Sequence, residues 1–203
     1  MYDDEFELTF DLSDEDKASR APEPEQEPVQ EAAPEPAAET EPPVEAVPEP
    51  AVPAANGRCV LISGGDRGIG AAAARAFWQA GYRVAVLYHT HAEAAAALEK
   101  ALPGLLAVQC DVASRASCEV AFHTVEQAVG HVDVLVSNAG IAQQKLFTDI
   151  TPEEWQHMLD VNLSGAFHLC QLALPGMIRR KAGRILTVSS MWGQTGGSCE
   201  VHY

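Results

Sequence analysis

From residue 58 onward, short apolar runs rich in β-branched residues alternate with longer stretches whose apolar positions recur at helical spacing. The runs are CVLIS (59–63), RVAVLY (83–88), LLAVQC (105–110), VDVLVS (132–137) and RILTVSS (184–190). Between them lie IGAAAARAFWQAGY (69–82), HAEAAAALEKAL (91–102), SRASCEVAFHTVEQAV (114–129) and one long helical stretch over 152–180. Strand and helix alternating in this way predict βαβ units and a parallel sheet. Strands of such a sheet are covered on both faces and should be apolar throughout, as VLI, VAVL and VDVLV are. Right-handed crossovers then produce a doubly wound α/β sheet.

Residues 1–56 follow a different pattern. They hold 17 of the 29 acids, only 2 of the 13 Lys and Arg, and 10 of the 13 prolines. Between residues 21 and 53 the chain cycles through Pro, Glu, Ala and Val, too proline-rich for helix and too poor in large apolar residues for a core. An extended, disordered acidic tail is expected. Ahead of it Tyr2, Phe6, Leu8, Phe10 and Leu12 are interleaved with acids, compatible with a solubilising extension or a short docking motif. Residues 57–203 are left with 12 acids against 11 bases, so the globular part is nearly neutral and no nucleic-acid partner is expected. The N-terminus has no signal-peptide pattern, and no apolar run approaches the roughly 18 residues of a membrane span. A cytoplasmic protein without a membrane partner is expected. Five scattered cysteines (59, 110, 118, 170 and 199) show no metal-ligand spacing and read as buried small hydrophobes in a reducing compartment.

The first strand runs into Gly64-Gly65-Asp66-Arg67-Gly68-Ile69-Gly70 and then into an alanine-rich helix. Strand, glycine turn and helix in this order make a phosphate cradle. Glycines let the backbone bend and approach the ligand, and the helix N-terminus offers unpaired N–H groups to a pyrophosphate. The spacing G-x-x-x-G-x-G differs from the G-x-G-x-x-G fingerprint, and the absence of a following Gly-Lys-Ser or Gly-Lys-Thr excludes a P-loop.

Taken together, these residues resemble the short-chain dehydrogenase/reductase family, whose T-G-x-x-x-G-I-G motif corresponds to 63–70 here. The resemblance continues in order along the chain. Asp111, with Val112 beside it, matches the family's adenine-contacting aspartate, and Asn138-Ala139-Gly140 matches the N-A-G of its fourth-strand loop. Asn162 matches the asparagine of the long fifth helix, Ser190 the catalytic serine, and Tyr203 the catalytic tyrosine at the usual separation from that serine. The resemblance implies a Rossmann-type fold, of which these would be the first five of seven strands. It also implies a cofactor site of Gly64, Asp66, Arg67, Gly68, Ile69, Gly70, His89, Asp111, Val112, Asn138, Ala139 and Gly140.

Folds of this kind that prefer NAD place an acid about 20 residues beyond the glycine turn. Here that segment reads Leu87-Tyr88-His89-Thr90-His91, while Arg67 stands where the family's NADP-preferring reductases carry an arginine. NADPH is therefore the expected cofactor rather than NADH. The family reaction is hydride transfer to a ketone. Tyr203 would donate the proton, Ser190 would polarise the carbonyl, and Asn162 would anchor a water linked to a lysine four residues after the tyrosine. The sequence stops before that lysine, so a fragment of a longer, oligomeric reductase is expected. The nearest branch in pattern is the 3-oxoacyl-[acyl-carrier-protein] reductases, implying a small or carrier-bound ketone as substrate. The run SSMWGQTGGSCEV (189–201) resembles instead the bacterial reductases of the 5-aminopentanone modification of elongation factor P, which would make a modified protein lysine the substrate. A non-catalytic dinucleotide-binding module and an interaction protein led by the acidic tail are the readings from other classes.

Overall fold

The computed structural model describes residues 54–203. The expected disorder of the acidic tail up to residue 53, and the docking motif within it, lie outside the described residues. Five parallel strands form one sheet: β1 (Cys59–Ser63), β2 (Arg83–Tyr88), β3 (Leu106–Gln109), β4 (Val134–Ser137) and β5 (Arg184–Thr187), in the order β3-β2-β1-β4-β5. The chain winds outward from β1 to one edge, then returns to β1's other side and winds outward again. The crevice between β1 and β4, where the winding reverses, is where ligands bind in doubly wound sheets.

Helices α1 (Gly68–Gln79), α2 (Ala92–Ala101), α3 (Arg115–Val129), α4 (Pro152–Leu159), α5 (Gly165–Arg180) and the short α6 (Trp192–Thr195) complete the fold. Because successive side chains of a strand point to opposite faces, β1 feeds two cores. Val60 and Ile62 pack with Val84, Val86, Trp78 and Leu98 on the α1/α2 side. Leu61 packs with Leu87, Val125, Leu135 and Leu169 on the α3/α5 side. Every residue of β1 and β4 is buried, as the apolar-throughout pattern predicts for central strands.

Strand β5 is an edge of the sheet: Ile185 packs against the α3/α5 core, and Leu186 is 48% exposed. Two expectations need correcting. The single helix expected over 152–180 is broken by a widened π turn, Asp160–Ser164, between α4 and α5. Such bulges leave the polarity pattern of a helix almost unchanged and are common at functional sites. Of the cysteines, 59, 110 and 118 are buried, Cys170 is half-buried and Cys199 is exposed in a left-handed turn. Among the described residues no helix is long and apolar enough to cross a membrane.

The start of α4 is held by a capping box. Thr151 Oγ1 accepts the Glu154 N–H, and Glu154 Oε2 accepts the Thr151 N–H at 2.8 Å. The same carboxylate accepts from Lys145 Nζ at 2.7 Å and from Gln143 Nε2 at 2.8 Å. The hydrogen bond from Lys145, followed by those from the Thr151 amide and Gln143, lowers the Glu154 carboxyl from 4.5 to about 2. A depressed carboxyl stabilises the fold above its ordinary pKa and loses that contribution as pH falls through its folded value. Glu154→Gln should therefore lower the urea midpoint at pH 6. The difference from the parent protein should begin to shrink below about pH 4.5, the ordinary value, as titration of urea midpoints against pH would show.

Candidate functional site

A cavity of about 470 Å³ opens at the C-terminal ends of β1, β2, β3 and β4, within the range of small-molecule sites. Gly64, Asp66, Arg67, Gly68 and Ile69 line it from the turn after β1, His89 from the end of β2, Asp111 and Val112 from the end of β3, and Asn138, Ala139 and Gly140 from the loop after β4. Of the twelve cofactor residues expected from sequence, only Gly70 does not line it.

Gly68 has φ +53°, and a Cβ there would meet no protein atom within 4 Å, so the backbone borders open space. Gly70 is required for the opposite reason. A Cβ on it would fall on the Gly64 carbonyl oxygen and 2.7 Å from Asn138 Nδ2. Its role is to let α1 approach the loops beneath the cavity. No side chain caps the N-terminus of α1 and no acid occupies its first turn. Its leading N–H groups and positive dipole end are therefore free to receive an anion.

The two loops flanking the crevice are tied together by polar contacts. Ser63 Oγ accepts the N–H groups of Asn138 and Ala139, both at 3.0 Å. The Asn138 amide in turn donates to the carbonyls of Ser63 at 3.0 Å and Gly64 at 2.9 Å. After β3, Asp111 Oδ1 accepts the Ala113 N–H at 3.0 Å, and the Asp111 N–H donates to Ser117 Oγ at 3.0 Å. Asp111 thus holds its own turn while lining the cavity.

The end of β2 supplies Tyr88, His89, Thr90 and His91 to the wall, and no carboxylate. Asp66, from the glycine turn, is the nearby exception in charge. Its side chain is buried, and Oδ2 lies 3.5 Å from His91 Nδ1 without a hydrogen bond between them. Sequence reasoning read His91 as a helix-start residue. It occupies the N-cap position of α2 without a side-chain capping bond, and its contact with Asp66 across the cavity wall has no signal in spacing, because the two residues come from different βα turns. His157, Ile141 and Val161 were also missed: they reach the cavity through the packing of the α4 region against the β4 loop.

The three catalytic candidates are not gathered at this cavity. Asn162, in the π turn, accepts the Ile141 N–H at 2.8 Å and donates to the Ile141 carbonyl at 2.9 Å, clamping the β4 loop. Ser190 Oγ accepts the Trp192 N–H at 3.2 Å. Tyr203 is 45% exposed and lines a separate hollow with Trp192 and Glu200. No hydrogen bond joins Ser190 to Tyr203 among the described residues. The last segment is held by the loop at 143–145: Lys145 N–H donates to the Cys199 carbonyl at 2.7 Å, and His202 Nε2 lies 2.9 Å from Gln143 Oε1.

A family model described as short chain dehydrogenase matches residues 58–203. The chain belongs to the short-chain dehydrogenase family. It is 39% identical over 146 residues to the acetoacetyl-CoA reductase of Shinella zoogloeoides, an overlap of 72% of this chain and 60% of that protein. The acetoacetyl-CoA reductase of Rhizobium meliloti is 40% identical over the same shares. The 3-oxoacyl-[acyl-carrier-protein] reductase MabA of Mycobacterium avium is 40% identical over 144 residues, 70% of this chain and 53% of that one. This short-chain dehydrogenase chain therefore spans 53% to 60% of the lengths of these relatives. The family resemblance drawn from the ordered motifs holds.

In this short-chain dehydrogenase the Asn138 clamp should matter for stability as well as for the site. Asn138→Ala leaves two carbonyls without their donor and should cost about 1–3 kcal/mol. Urea denaturation at pH 7 would read this as a lower midpoint with an unchanged slope.

Proposed function

We propose that this chain is the dinucleotide-binding part of an NADPH-dependent carbonyl reductase that acts on a 3-oxoacyl thioester. The observation that carries the reading is the cavity's wall. An uncapped helix N-terminus and the Arg67 side chain stand at the glycine turn, and the end of β2 carries no carboxylate. An acid there would accept a hydrogen bond from a ribose 2′-hydroxyl and repel a 2′-phosphate, whereas a guanidinium pairs its forked donors with phosphate oxygens. The one buried carboxylate nearby, Asp66, has the His91 ring against it.

When bound, the dinucleotide supplies hydride to the carbonyl carbon. The protein's task is then to manage the negative charge that grows on the carbonyl oxygen. On this reading the Ser190 hydroxyl donates a hydrogen bond to that oxygen, and Tyr203 gives it a proton. Asn162 keeps the β4 loop in place beside the reacting end. The printed names of the relatives favour a short 3-oxoacyl thioester. Trp192, Glu200 and Tyr203 share one hollow, which supports a second reading. There the Glu200 carboxylate would attract an amine-bearing ketone such as the 5-aminopentanone group on a protein lysine.

Self-association belongs to the same proposal. Leu163, Phe167, Leu174 and Ile178 follow one helical face and are 42% to 69% exposed, an apolar stripe suited to a second copy. Phe167→Glu with Ile178→Glu should convert an oligomer to monomer in light scattering while leaving dinucleotide affinity intact.

Cofactor choice is tested by fluorescence titration of this chain with NADPH and NADH. Arg67→Ala should weaken NADPH binding roughly tenfold or more, the effect of losing a charge-assisted hydrogen bond of about 1.5–3 kcal/mol, and leave NADH nearly unchanged. Gly68→Val should abolish binding of both, since a side chain there enters the open space and strains a left-handed backbone. Tighter binding of NADH than NADPH by the parent chain would overturn the cofactor assignment.

A further inference from the structure

Two thiols meet at the end of β3. Cys110 follows the strand, is 3% exposed and lines the cavity, while Cys118, fully buried, sits at the start of α3. Their sulfurs are 4.0 Å apart, and no other pair of sulfurs among the described residues makes such a contact. Both are linked to the turn that carries Asp111 and Val112 into the cavity. Ser117 Oγ lies 3.8 Å from Cys110 Sγ and accepts the Asp111 N–H at 3.0 Å, and Cys118 Sγ lies 3.5 Å from the Val112 carbonyl oxygen. Hydrophobic packing alone would account for two buried cysteines. It does not account for one of them opening onto the cavity with a hydroxyl and a second thiol beside its sulfur.

We propose that Cys110 and Cys118 are an oxidisable dithiol, a modification site whose closure to a disulfide by a peroxide disturbs the 111–114 turn and weakens dinucleotide binding. The effect on binding rests on the dinucleotide reading above; the modification itself does not. Cys110 lines the cavity, where a peroxide can reach it, while Cys118 is fully buried; contact with Cys118 lowers the pKa of Cys110, and contact with Cys110 together with burial raises that of Cys118. Cys110 is therefore the attacking sulfur. Its thiolate attacks one peroxide oxygen, the O–O bond breaks, and the other oxygen leaves as water after taking a proton. The resulting sulfenic acid is attacked by the Cys118 sulfur, which gives up its proton as the S–S bond forms and the second water departs. The two thiols lose two electrons and two protons in all, and these reduce one peroxide to two waters. Closing the gap from 4.0 Å to a disulfide bond of about 2.0 Å draws the start of α3 toward β3. That movement strains the Ser117–Asp111 and Cys118–Val112 contacts that shape the turn. A bound dinucleotide would cover Cys110 and slow the reaction.

The test treats the full chain with hydrogen peroxide, with and without NADPH, and reads intact mass, peptide linkage, amide exchange and NADPH affinity. Expected are a loss of two hydrogen masses, a Cys110–Cys118 link, and faster exchange at the Ala113 and Ser114 amides. NADPH affinity should fall roughly fivefold or more, the low end of typical coupling between sites, and dithiothreitol should reverse every change. Cys118→Ala should accumulate oxygen on Cys110 with no cross-link. Absence of the cross-link in the parent chain, a link between other cysteines, or a 110–118 link that leaves amide exchange unchanged would overturn the proposal. If the reduced chain binds no NADPH, the dinucleotide reading fails, and the mass and exchange data still decide whether the dithiol closes and moves the turn.

Discussion

Much of this structure depends on the contact between the loops that follow β1 and β4. These strands are neighbours in space but lie more than seventy residues apart in sequence, at the point where the sheet's winding reverses. A crevice there would expose the last N–H and carbonyl groups of both strands. Ser63 and Asn138 satisfy them reciprocally, one hydroxyl accepting two N–H groups and one amide donating to two carbonyls. The crossing is so close that Gly70 admits no side chain between Gly64 and Asn138. With these loops fixed, the N-terminus of α1 is aimed into the cavity. Without them the glycine turn would be a connection with no defined ligand face.

A second clamp extends the first. Asn162, presented by the π turn between α4 and α5, makes two hydrogen bonds to the Ile141 backbone. The loop after β4 is thus held from both sides, by β1 through Asn138 and by the helical layer through Asn162. In a regular helix from 152 to 180 the side chains beyond residue 160 would sit at different angles, and Asn162 would not meet Ile141 in the same way. The irregularity is part of what positions the site.

The electrostatics of the cavity follow from the same economy of parts. The cavity is bordered by the uncapped N-terminus of α1 and by one arginine rather than by a basic patch, and the end of β2 carries no acid. This agrees with the near-neutral charge of residues 57–203. The acidic character of the whole chain resides in the segment before them. Asp66 is a buried carboxyl with the His91 ring beside it.

Alternating apolar runs and helical spacing were enough to read five strands and their intervening helices, because burial on both faces of a parallel sheet leaves a continuous apolar signature. Glycine spacing was enough to place the tight turn between β1 and α1 that borders the cavity, because a backbone with positive φ tolerates few other residues. Local pattern could not reveal the π turn that aims Asn162, because one extra residue in a helical turn hardly alters polarity. The pairing of Asp66 with His91, the meeting of Cys110 with Cys118, and the separation of Ser190 and Tyr203 from the cavity were decided by the tertiary structure alone. Residue type and spacing determine what a segment can form, whereas contacts between segments depend on how the sheet is wound and how closely its loops pack.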